Sequence, residues 1–281
     1  MNAAARRVAI FGDVAGHRSP FTDQLVDLGC DPASGSMPEG LEVVQVGDLV
    51  HRGPDSDGSL RVADRFMRAN PGRWHQLFGN HEGHELGGPR LVGFDGQVGP
   101  EGQAILADWW RNRSAHMAVA FDTVELGPVL VTHAGLTRSM WNTIGSPRDA
   151  HTAADLLNRM VGVAPELAFK PGNMLSGPDG RAYQDPGVAW AEAATEVLDP
   201  WALYGSAPFS QVHGHSSIYR WRDSRPQRWV SPLVAASITR ISPTLRHAWA
   251  EAGGATFIGV DPGHGANPAR SWGPLVLELA P

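Results

Sequence analysis

The chain has 281 residues, 42% of them hydrophobic and 19% charged, with 23 Lys+Arg against 29 Asp+Glu and a formal net charge of -6. This composition excludes a disordered or fibrous chain, and its acidic balance disfavours a general nucleic-acid or anionic-membrane binder, which needs a basic surface. One cysteine, Cys30, excludes an internal disulfide framework and any multi-cysteine zinc or iron–sulfur site, so a metal has to be held by His and carboxylate, and a reducing, cytoplasmic compartment is expected.

Met1 to Arg7 is too short for a secretory apolar core, and no stretch approaches the roughly 20 apolar residues of a membrane helix. Val8 to Phe11 is a short β-prone run that stops at Gly12-Asp13. Ser19-Pro20 then opens a helix through Leu28, Ser being a good N-cap and Pro suiting the first turn. A second strand, Leu41 to Val46, stops at Gly47-Asp48. Ser59 to Ala69 reads as a helix with Leu60, Ala63 and Met67 on one face, ended by Asn70-Pro71-Gly72. Trp74 to Phe78 is a third strand, ending at Gly79-Asn80-His81-Glu82. This alternation predicts an α/β unit with parallel strands, whose ligand crevice lies outside their carboxyl ends.

Farther along, Ala104 to Arg111 reads as a helix, and Pro128 to Thr132 as a strand delivering His133. Helical patterns at Ala150 to Met160 and Val188 to Leu198 flank a Pro/Gly-rich stretch from Pro165 to Gly187, so residues 136–205 are expected to form a mainly helical cap. Ser210 to Val212 leads into His213-Gly214-His215, and Ala255 to Val260 and Pro274 to Leu279 supply late strands. No boundary divides the chain, and residues 1–281 are expected to form one domain.

The strand ends carry Asp13, Asp48, Asn80, His133, His213 and His215, a mixed oxygen and imidazole set suited to Mn, Fe or Zn. Two such ions, roughly 3.5 to 4 Å apart, clamp a phosphoryl oxygen and acidify a water for in-line attack on phosphorus. Each piece alone has a plainer explanation, because Gly-Asp after a strand is ordinary turn chemistry and Asn80 with Glu82 suits a helix start. Their order along the chain carries the argument. Of the ten tryptophans, Trp109, Trp110, Trp141, Trp190 and Trp201 fall in the middle and the cap, where core packing explains them more readily than base stacking.

Taken in order, the words Gly12-Asp13, Gly47-Asp48-Leu49-Val50-His51-Arg52-Gly53-Pro54-Asp55-Ser56, Gly79-Asn80-His81-Glu82, Thr132-His133-Ala134-Gly135 and His213-Gly214-His215 resemble the calcineurin-like metallophosphoesterases. The likeness is to the branch of Ser/Thr protein phosphatases and bacterial diadenosine tetraphosphate hydrolases. It covers residues 8–135, the His213 region and Gly259-Val260-Asp261-Pro262-Gly263. It implies a two-sheet α/β sandwich with helices outside and a dimetal centre. Asp48 would bridge the ions, with Asp13 and His215 on the first and Asn80, His133 and His213 on the second. His81 would be the general acid, a task suited to a group titrating near neutrality, and Arg52 would fork onto the phosphate.

Two positions depart from the family's pattern. Its first word is GDxHG, whose His is a ligand, whereas this chain has Ala15; His17 stands as an alternative ligand. His51 occupies the place where protein phosphatases carry an Asp that orients the acid. The function implied is hydrolysis of a phosphate ester or anhydride of a small molecule or nucleotide by a dimetal-activated hydroxide. A Ser/Thr protein phosphatase and a catalytically impaired metal- or phosphate-binding interaction protein are the rivals.

Overall fold

The computed structural model describes residues 6–281, so the expectation for the first five residues lies outside the described residues. Two sheets stack face to face. The first has the order β12-β1-β2-β3, in which β1 (Arg7–Phe11), β2 (Leu41–Gln45) and β3 (Trp74–Gln76) run parallel and β12 (Leu275–Glu278) pairs antiparallel to β1. The second has the order β4-β5-β6-β11-β10-β9. Its centre, β5 (Gly127–Thr132), β6 (Ser210–His213) and β11 (Ala255–Gly259), is parallel, and β4 (Ala118–Thr123), β10 (His247–Ala252) and β9 (Ile238–Ser242) extend it antiparallel. A two-stranded ribbon, β7 (Tyr219–Arg220) with β8 (Arg225–Pro226), follows β6.

The apolar runs of the sequence follow from burial on both faces of each sheet. Val8 and Ile10 of β1, with Val44 and Val46 at β2, face Val129, Val131, Val212 and Ile258 of the second sheet. The alternate residues Ala9, Phe11, Leu41 and Val43 face the helices α1 (Arg18–Asp27), α2 (Ser56–Ala69) and α4 (Pro100–Asn112), which supply Phe21, Leu25, Leu60, Ala63, Phe66, Leu106 and Trp109. The second sheet is covered by α6 (Ala150–Met160) on β4 and β5. Elsewhere on that face a π-helical turn (Ala193–Leu198), α8 (Asp199–Tyr204) and α9 (Pro232–Ser237) pack on Ala248, Ala250 and Phe257. Short helices α3 (Asn80–Glu85), α5 (Arg138–Thr143) and α7 (Pro165–Ala168) complete the chain. This is the mixed α/β, two-sheet architecture expected.

Several boundaries differ from the sequence reading. The first helix starts at Arg18 behind His17, so Ser19 is inside the helix and does not cap it. The second starts at Ser56 because the Asp55 carboxylate accepts the Gly58 N–H at 2.8 Å. β3 ends at Gln76, and Leu77 bridges to His116. The helix expected over Val188 to Leu198 is non-helical through Glu192, whose carboxylate then accepts the Thr195 N–H at 2.7 Å and starts the π turn. Among the described residues no helix is long and apolar enough to cross a membrane.

Candidate active site

The carboxyl ends of β1, β2, β3, β5, β6 and β11 meet on one edge, and residues just past all of them but β5 line a cavity of about 390 Å³. The backbone turns sharply there. Ala15, Asp48, His51, Arg52 and His215 all take left-handed conformations, each costing an L-residue roughly 1 kcal/mol or more. Close approach of the tips demands small residues: a Cβ on Gly12 would overlap the Val260 carbonyl, and one on Gly79 would overlap the Asp48 carboxylate. Glu82, fully buried, ties two tips together by accepting the N–H groups of Asp48 (2.8 Å), Leu49 (2.7 Å) and Gly79 (2.8 Å).

The donor atoms converge in a way that hydrogen bonding alone does not explain. His133 Nδ1 donates to the Val46 carbonyl at 3.0 Å, which leaves Nε2 as a lone pair. That lone pair faces Asn80 Oδ1 at 3.1 Å, His215 Nδ1 at 3.2 Å and Asp48 Oδ1 at 3.4 Å. Asp48, His133 and His215 each offer one ligand atom, all within 4.8 Å of one another. Burial holds the His133 imidazole well below its ordinary value and His215 at about 3, while it raises Asp48 and Asp13, with Asp261 and Asp48 adding to the rise at Asp13. Neutral imidazole lone pairs beside buried carboxylates are the arrangement that a cation relieves, so the residues present fit a metal ion.

Asp13 lines the cavity and its Oδ1 accepts the His215 N–H at 2.9 Å. His213 lies elsewhere. It is the last residue of β6, buried beside Gly135 and Gly259 with Nδ1 3.1 Å from the Gly214 carbonyl, and it does not line the cavity. Strand alternation is the reason, because His213 shares the outward face of Gln211, whose Oε1 accepts the Leu136 N–H at 2.8 Å. His215, past the turn, is the imidazole grouped with Asp48, Asn80 and His133, and not one set apart with Asp13.

Ala15 lines the cavity and brings no donor there. His17 lies outside this lining: its Nε2 is 3.4 Å from the Gly265 carbonyl and its ring meets the edge of His264 at 5.1 Å. The cavity wall instead holds Asp261, just past β11, with Oδ1 accepting the Gly263 N–H at 2.8 Å. Burial raises its carboxyl. Its signal is the one that marks Asp13 and Asp48, an Asp following a strand end.

His81 and Arg52 both line the cavity. Burial, together with His51 and Arg52, pushes His81 down to about 2, below the near-neutral range expected of it. Arg52 is held by its N–H on Gln97 Oε1 at 3.0 Å and by its guanidinium 5.4 Å above the Phe94 ring. Leu91, Met174, Leu175 and Trp190 form the apolar wall.

The calcineurin-like phosphoesterase family matches residues 6–233, and the chain belongs to that family. It is therefore a metal-dependent phosphoesterase by class. No curated protein matches it. Among solved structures, it resembles a cold-active protein-tyrosine phosphatase of the psychrophile Shewanella sp., with 17% identity over 98% of this chain and 76% of that one and a TM-score of 0.55. A protein serine/threonine phosphatase from Saccharomyces cerevisiae gives 13% identity over 92% and 67%, with a TM-score of 0.47. At these identities the first likeness speaks for the fold alone.

Proposed function

We propose that the chain hydrolyses a phosphate ester or anhydride of a small molecule or nucleotide, using two ions drawn from Mn, Fe and Zn. The observation that carries this is the convergence of Asp48, Asn80 and His133 Nε2 with His215 Nδ1 at the floor of a cavity that Arg52 and His81 also line. These four would hold one ion, and Asp13, Asp48 and Asp261 the other, with Asp261 supplying the donor that Ala15 lacks. When bound, the ions supply Lewis-acid stabilisation of the phosphoryl oxygens and an acidified water.

The side chains divide the remaining work. Arg52 binds the phosphate oxygens through its planar fork. Burial above all, then His51 and Arg52, keeps His81 neutral; a phosphate dianion placed at Arg52 favours its charged form, and His81 then serves as proton donor to the leaving oxygen. Of residues 136–205, the part carrying Met174, Leu175 and Trp190 acts as a cap, since these three wall the cavity while α6, the π turn and α8 cover the second sheet. A volume of about 390 Å³ behind such a wall suits a small phosphorylated molecule better than a folded phosphoprotein.

The test is turnover of an aryl phosphate, nucleotides, a dinucleoside tetraphosphate and a phosphopeptide by metal-loaded protein. Activity confined to the small substrates supports this function. Preference for the phosphopeptide replaces it with the protein-phosphatase alternative, and binding without turnover replaces it with the interaction-protein alternative.

A further inference from the structure

Next to the cavity, the buried His51 and the part-buried Glu85, neither used in the proposed chemistry, join His81 in a hydrogen-bonded chain. Glu85 Oε1 lies 2.8 Å from His51 Nε2, and His51 Nδ1 lies 2.7 Å from His81 Nδ1. The His51 side chain is fully buried and that of Glu85 is 8% exposed. Glu85 and His81 are four residues apart on α3, which sets them on one face of the helix. His51 enters from the loop after β2. Its N–H is fixed on Ser56 Oγ at 2.9 Å, and Phe94 stacks on its ring at 5.1 Å and 19°.

The two bonds fix where protons sit. A carboxylate only accepts, so His51 Nε2 carries a hydrogen toward Glu85. The contact between the two Nδ1 atoms needs one proton between them. His81 Nε2 is thereby the ring nitrogen left free, and it lies 3.8 Å from Asp48 Oδ2 at the cavity wall. Among the described residues the other polar neighbours of Glu85 are His84 Nε2 at 3.9 Å and Gln103 Nε2 at 3.4 Å, and no lysine or arginine pairs with it.

We infer that Glu85, acting through His51, is a positioning residue for His81, orienting its ring and holding the compensating negative charge while it donates. This rests on the donor role of His81 in the function proposed above. In that step a water oxygen forms a bond to phosphorus while the bond from phosphorus to the leaving oxygen breaks and its electron pair passes to that oxygen. His81, protonated once the phosphate is bound, gives the Nε2 proton to the same oxygen and returns to its neutral form, while its Nδ1 side stays bonded to His51. Glu85 touches neither substrate nor the reacting atoms. Where protein phosphatases place one Asp against the acid, this chain spans the same gap with an imidazole and a carboxylate.

The experiment is a leaving-group series, from 4-nitrophenyl phosphate through phenyl phosphate to an alkyl phosphate. It is run on metal-loaded wild type, Glu85→Gln, Glu85→Asp and His81→Ala, with metal content and thermal midpoint recorded for each. Glu85→Gln keeps an acceptor for His51 and removes the charge. It is expected to lower kcat roughly tenfold or more on the alkyl ester and far less on the nitrophenyl ester, with KM and metal content unchanged, and Glu85→Asp restores part of the loss. A loss in Glu85→Gln that is equal across the series, while that of His81→Ala grows with the leaving-group pKa, overturns the inference and leaves the donor role standing. A loss in His81→Ala that is itself independent of the leaving group overturns the donor role and the inference with it.

Discussion

The buried carboxylate of Glu82 accepts the backbone N–H of Asp48 at 2.8 Å, so a residue of the third strand end sets the position of the carboxylate at the second. The same side chain holds Leu49 and Gly79. Glu82→Ala leaves these amides without their acceptor, each costing about 1–3 kcal/mol when buried. Chemical denaturation is expected to show a loss of several kcal/mol, together with weaker metal retention. A variant with wild-type stability would mean that the loop is held by something else.

The two imidazoles around Gly214 are expected to behave differently. His215→Ala removes a donor that faces His133 Nε2 and is predicted to lower bound metal by one equivalent. His213→Ala leaves the cavity lining intact and is predicted to retain both ions while losing stability, since a buried ring is deleted. Elemental analysis of the two purified variants separates them.

For the first ion, Asp261→Asn is predicted to lower metal content from two equivalents toward one, whereas His17→Ala leaves it unchanged. Isothermal titration with Mn checks both. Loss of metal in His17→Ala alone would assign the place of Ala15 to His17.

Arg52→Lys keeps the charge and loses the fork. It is predicted to lower kcat/KM by roughly tenfold to a hundredfold, with the two metal equivalents retained. A steady-state series on one aryl phosphate measures it.

Buried histidines also set the response to acid. His247, remote from the cavity, donates from Nε2 to the Gly273 carbonyl at 2.9 Å, and burial lowers it to about 4. Its unfolded form binds a proton near pH 6.5 and its folded form does not, so the unfolded state holds more protons between those values and stability falls as pH drops from 6.5 to about 4. His247→Gln, which does not titrate and keeps a donor, is predicted to flatten that part of the thermal-midpoint profile. An unchanged slope would place the acid sensitivity elsewhere.

The parallel strands β1 and β2 were legible because burial on both faces writes them as apolar runs, which stop at Gly12 and Gly47. β10 was hidden. Its sequence, His247-Ala248-Trp249-Ala250-Glu251-Ala252, is rich in alanine, the best helix former, and the small side chains instead let the π turn and α9 come close to the sheet. Asp13, Asp48, Asn80, His133 and His215 stood out in the sequence for one reason, that each lies within four residues of a strand's carboxyl end. His213 lies outside the cavity lining because alternation turns it away, a direction that proximity in sequence does not give. Glu82 and Glu85 act across the turn between two strand ends, a relation that no local spacing records.

Metal content measured together with hydrolysis of 4-nitrophenyl phosphate, before and after chelation, tests the proposed dimetal phosphoesterase most directly. The expected result is two metal equivalents, turnover lost with chelator and restored by Mn, and a large loss in His81→Ala. Protein that holds two ions and turns over no phosphate monoester, diester or anhydride would contradict it.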